Sequence, residues 1–112
     1  MANSVILPLP FPFELINRYA EIRLILNSCM DILELQDKAN LIREDIIKML
    51  VAAGTGHSAG PLGMADVFTA IYFGGILEYR ADEPWWRERD RLVLSAGHIV
   101  PVLYPVLAHA GF

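Results

Sequence analysis

Two short segments hold the residues best suited to chemistry. The first reads Gly54-Thr55-Gly56-His57-Ser58-Ala59-Gly60-Pro61-Leu62-Gly63 and the second Ala96-Gly97-His98. Each sets a histidine among glycines, directly ahead of an apolar stretch with helical spacing. Imidazole titrates near neutrality, so it can give, take or relay a proton under mild conditions. Glycine lets a ligand approach the backbone closely. A helix N-terminus offers unpaired N–H groups and a partial positive charge, which suits phosphate. A phosphorylated small molecule whose protons are handled by His57 and His98 is therefore one reading. The other treats the glycines as helix stops and the histidines as satisfied caps, and the residues alone leave both open.

The remaining polar candidates have plainer explanations. His109 falls near the end of an apolar helix, where it can meet the negative end of the helix dipole. Trp85 and Trp86 follow Pro84 in a polar linker and read as anchors packing that linker onto the domain. Arg89, Asp90 and Arg91 read as a local ion-pair set. Cys29 has no basic neighbour to activate it and reads as core.

Several elements must position the two histidine loops. Three prolines at alternate positions, Pro8, Pro10 and Pro12, forbid a helix and predict an extended apolar arm. Residues 14–36 lack proline and glycine, and Leu15, Tyr19, Ile22, Leu26, Met30 and Leu33 recur at helical spacing. A second helix is expected over 37–53, with Ala39, Ile42, Ile46, Ile47, Met49 and Leu50 apolar and Gly54 as its stop. A third is expected over about 63–77, with Met64, Val67, Phe68, Ile71 and Tyr72 on one face. Residues 91–95, Arg91-Leu92-Val93-Leu94-Ser95, read as a short parallel strand covered on both faces. A last helix should start near Ile99 or Val100; Pro101 is acceptable in its first turn, whereas Pro105 should kink or shorten it. The class expected is α/β: a helix-rich opening with one parallel strand.

Composition narrows the partners. The chain has 112 residues, room for one small domain, and is 54% hydrophobic and 20% charged. Mean hydropathy is +0.39, high for a domain that must face water on most sides. Part of the apolar surface is thus expected to meet a partner. The net charge of −4 and the acids Glu88 and Asp90 between Arg87, Arg89 and Arg91 argue against nucleic-acid binding. No apolar run is long enough, free of proline, to cross a membrane. A single cysteine excludes an internal disulfide framework and fits a reducing cytoplasm.

A resemblance adds to this reading. Lys38-Ala39-Asn40, Ile42-Arg43 and Asp45-Ile46-Ile47 look like the first helix of transketolases. Gly56-His57-Ser58-Ala59-Gly60-Pro61-Leu62-Gly63-Met64-Ala65 is similar to their Gly-His loop and the helix after it. Pro84-Trp85-Trp86, Arg89-Asp90-Arg91 and Leu94-Ser95-Ala96-Gly97-His98 resemble the family's linker and its Leu-Ser-x-Gly-His turn. Order and spacing agree over residues 35–112, while residues 1–34 form an unmatched arm and helix.

The resemblance implies a thiamine diphosphate-dependent transfer of a two-carbon ketol unit between sugar phosphates, with Mg2+ as the metal. It implies that His57 lies beside the substrate and that His98, with Gly97, lies on the cofactor side. It also implies that the metal and diphosphate ligands come from a Gly-Asp-Gly motif and an asparagine beyond Phe112, and the activating glutamate from another domain. On this expectation the chain is an N-terminal section that works only with a complementary transketolase section or as a homo-oligomer. The alternatives are a non-catalytic remnant or interaction module, or another thiamine diphosphate-dependent enzyme with the same opening.

Overall fold

A computed structural model describes residues 29–112. The proline-rich arm and all but the end of the first expected helix lie outside the described residues. Helix α1 spans Ile32–Ala53, with Asp31 as its N-cap. The Asp31 carboxylate accepts from the Glu34 amide and the Glu34 carboxylate accepts from the Asp31 amide, both at 2.9 Å. This reciprocal capping box starts a new helix where the sequence reading ran one helix through to residue 36. Leu33, placed on the apolar stripe of that expected helix, is 70% exposed.

Helix α2 spans Ala59–Phe73, beginning four residues before the expected start at 63 and ending at Gly74. Pro61 is compatible with that earlier start because a first-turn amide has no intrahelical acceptor to lose. The chain then runs irregularly to a 3-10 turn at Gly97–Val102, which passes into helix α3, Leu103–Ala110. This change of helix type is how Pro105 is accommodated. It falls in the first turn of α3, at the change from 3-10 to α geometry, rather than in the interior of a longer α-helix.

One core joins the helices. Ile42 and Ile46 of α1, Ala65, Phe68 and Tyr72 of α2, and Val102 and Val106 are buried together. Each large aliphatic side chain in this cluster contributes about 1.5–3 kcal/mol by leaving water. Val67, expected on the buried face of α2, is 46% exposed; Ala65 and Thr69 occupy that face instead. Arg43 adds a polar tie from α1 to α2: its guanidinium donates to the Leu62 carbonyl at 3.3 Å and pairs with Asp66.

Among the described residues there is no strand, so the expected one at 91–95 is not formed by them. Leu92 and Leu94 pack against the core while Val93 is 89% exposed. Alternation of this kind fits an extended run with one covered face. A ladder also needs a neighbour to take its N–H and C=O groups, and the described residues offer none. The linker differs from expectation too. Trp86 stacks 4.0 Å from the Arg80 guanidinium, but Trp85 is 86% exposed. Among the described residues, Arg89 and Arg91 donate to the backbone carbonyls of Pro84, Asp90 and Arg87 rather than pairing with acids. No helix among the described residues is long and apolar enough to cross a membrane.

Candidate functional site

His57 owes its place to the way α1 stops. Gly54 takes a left-handed conformation, φ 66°, and its amide donates to the carbonyls of Leu50 at 3.0 Å and Val51 at 3.2 Å. A side chain would be strained at that angle. Gly56 follows at φ 125°, and a Cβ there would lie 2.5 Å from Leu50 Cδ2. The two glycines turn the chain tightly over the end of α1 and leave His57 exposed just before α2.

His98 arrives from the other side. It is the second residue of the 3-10 turn, which the Ile99 amide closes by donating to the Ala96 carbonyl at 3.0 Å. The first turn of α2 lies directly against it. A Cβ on Gly60 would sit 2.8 Å from Ile99 Cγ2 and 3.9 Å from His98 Cδ2. Only a residue without a side chain allows that approach. Gly60 is thus a site-building residue that the motif contained but that sequence reasoning had no means of assigning.

The result brings the two histidines together. Their ring centroids are 5.9 Å apart with planes at 86°, edge toward face, and both side chains are exposed. Residues far apart in the chain converge here. Gly97 stands beside His98 with nothing within 4 Å of where a Cβ would be, so its backbone is open to a ligand. Helix α2 starts nearby with no acidic residue in its first turn and no side-chain cap from Ser58.

These groups fit one side of an anionic cofactor: two imidazoles, an unobstructed glycine backbone and an uncapped helix start. They do not fit a divalent metal. Among the described residues no three His, Cys, Asp or Glu side chains converge as a metal site would need. A separate cavity of about 450 Å³, lined in part by Cys29, Met30, Tyr72, Phe73, Tyr79 and Asp90, holds neither histidine. Burial pushes the Tyr72 and Tyr79 hydroxyls above their ordinary pKa, which keeps them as neutral donors there.

The profile of the transketolase thiamine diphosphate-binding domain matches residues 35–112, both histidine loops included. The chain belongs to the transketolase family. It is 41% identical over 80 residues to the 6-deoxy-6-sulfo-D-fructose transketolase subunit SqwG of Clostridium sp. strain MSTE9, covering 71% of this chain and 29% of that protein. It is 38% identical over 78 residues to Homo sapiens transketolase, covering 70% of this chain and 12% of that protein. With Rhodobacter capsulatus transketolase it shares 45% identity over 74 residues, 66% of this chain and 11% of that protein. The chain therefore spans between about a tenth and just under a third of these relatives.

Proposed function

We propose that this transketolase-family chain contributes two proton-handling histidines to a transferase that moves a two-carbon ketol unit between sugar phosphates. The convergence of His57 and His98 at 5.9 Å, on loops inside the matched domain, is the observation that carries the reading. Thiamine diphosphate, when bound, supplies the electron sink for breaking and re-forming a bond at a carbonyl carbon. His57 orients sugar hydroxyls and takes or returns a proton at a ring nitrogen. His98 does the same from the cofactor side, and His98 and the Gly97 amide are the groups that would hold the diphosphate edge.

Exposure sets the limit on what the chain does alone. Proton transfer between sugar hydroxyls and imidazole is efficient when water is kept out, and both rings face solvent. A complementary transketolase section, or failing that a second copy, supplies the missing cover, and with it the Mg2+ ligands that the described residues lack. In that assembly residues 91–95 become a strand of a parallel sheet, their outward Val93 covered. We assign the protein to the cytoplasm, on its single cysteine.

Two measurements test the proposal. Calorimetry of the isolated chain with thiamine diphosphate and Mg2+ should show no tight binding; saturable micromolar binding would remove the need for outside ligands. In an assembly with a complementary section, His57→Ala and His98→Ala should each lower ketol transfer about tenfold or more, within the usual range for general acid–base groups. If both variants transfer as fast as the parent, the two histidines are not the proton carriers.

A further inference from the structure

A third histidine, outside the site, joins the two elements that deliver the other two. His109 Nε2 is 2.9 Å from Asp45 Oδ2, and His109 Nδ1 is 3.5 Å from Lys38 Nζ. Asp45 also accepts from the Lys48 ammonium at 3.2 Å, and the Lys38 ammonium sits 5.4 Å from the centre of the Phe73 ring. An ammonium group has no lone pair to offer. His109 Nδ1 must therefore be the unprotonated nitrogen that accepts from Lys38, and Nε2 carries the proton donated to Asp45. The Asp45 carboxyl is held below its ordinary pKa, first by this His109 hydrogen bond and then by Lys48.

The placement gives the cluster a consequence. Asp45 and Lys38 are on α1, whose end delivers His57; His109 is on α3, which continues the turn carrying His98. The Arg43 contacts tie α1 to α2, not to α3. We propose that Asp45 and His109 are positioning residues: on top of the core packing of Ile42 and Ile46 with Val102 and Val106, their hydrogen bond sets the register of α1 on α3 and so the spacing of the His57 and His98 rings. The functional use of that spacing rests on the reading above; the spacing itself does not.

The test is NMR on the full chain with labelled histidine near neutral pH, without cofactor. His109 should show the Nε2–H tautomer, and His57 and His98 should show a ring-to-ring NOE. Asp45→Ala removes the acceptor from a half-exposed helix position and should abolish that NOE while the contacts among Ile42, Phe68 and Val102 persist. His109→Leu should do the same, and the double variant should be no worse than either single one. His109→Gln keeps one donor and one acceptor and should restore the NOE. A bond with a merely structural role would change the urea midpoint in Asp45→Ala but leave the His57–His98 NOE intact. That outcome overturns the proposal, as does an Nδ1–H tautomer or a His109→Gln that behaves like His109→Leu. If His109→Leu does not fold, Asp45→Ala and His109→Gln decide between the same two outcomes. Ketol transfer is not read here, so loss of the catalytic reading leaves this result standing, and the reverse holds.

Discussion

Replacing Gly60 with alanine sets two effects of opposite sign against each other. The gain is intrinsic: alanine in place of glycine stabilises a helix by about 0.5–1 kcal/mol, less in a first turn than in the interior. The loss is local. The new methyl would lie 2.8 Å from Ile99 Cγ2. Carbon atoms settle at about 3.5–4.0 Å, so one partner must retreat by roughly 0.7 Å or more. Ile99 is β-branched and packed against the core, and moving its Cγ2 means turning a stiff χ1 or shifting the turn itself. Overpacking of this kind costs about 1–3 kcal/mol. The loss wins, leaving Gly60→Ala less stable than the parent by about 0.5–2 kcal/mol.

Gly63 is the control. It lies in the same helix, is exposed, and has nothing within 4 Å of a built Cβ. Gly63→Ala should therefore be stabilising by about 1 kcal/mol. With a urea slope of about 1–1.5 kcal/mol per molar for a chain of this size, the two unfolding midpoints should stand about 1 M or more apart, on opposite sides of the parent. The same shift must reach the site, because His98 adjoins Ile99. Histidine ring resonances should move for His98 in Gly60→Ala and stay in Gly63→Ala. Two variants that both raise the midpoint, or a Gly60→Ala with an unmoved His98, would refute the claim that close approach at Gly60 sets the His98 position.

Two further outcomes follow from the ends and flank of α1. Asp31→Ala removes the carboxylate that accepts from the Glu34 amide, leaving the backbone half of the capping box, and should lower stability by about 0.5–2 kcal/mol in urea unfolding, with Asp31→Ser recovering most of it. Because the folded Asp45 carboxyl is held below its ordinary pKa by His109 and then Lys48, its contribution is fully present above the ordinary aspartate range. It is lost as pH falls through the lowered value, so between about pH 5 and pH 3 the parent's urea midpoint should drop further than that of Asp45→Asn; matching slopes would contradict the assignment.

The parts of the fold that could be read in advance are those with a local cause. Gly54 stops α1 because no other residue takes φ 66° cheaply, and the apolar spacing of Ile42 and Ile46 marks the face that α2 and α3 cover. The helix start at Asp31 also has a local cause, the Asp31–Glu34 capping box, which the search for proline-free apolar periodicity does not register. The two histidines could be nominated from their glycine neighbours. That they meet could not, since it depends on α2 crossing the 3-10 turn at Gly60. The Lys38–His109–Asp45 chain had no local signature: His109 lies 71 and 64 residues from Lys38 and Asp45, and only the packing of α3 on α1 brings it to them. Residues 91–95 were a strand by composition, but a strand is a relation between segments, and the described residues supply only one.

The high apolar content bears on how the two-histidine site would be closed. Ile32 and Val51 are 73% and 75% exposed, near opposite ends of α1. At 1.5 Å rise per residue they stand about 28 Å apart along the helix axis. Val93 is exposed on a different segment, on the side turned away from Leu92 and Leu94, and Trp85 is exposed on the linker. A partner that covered one small patch would leave most of these side chains in water. Covering them together needs a surface that runs the length of α1 and also lies over residues 91–95. A large complementary section can do that in one contact. The distribution of exposed apolar residues, more than their number, therefore sets what a partner closing the site has to cover: the length of α1 together with residues 91–95.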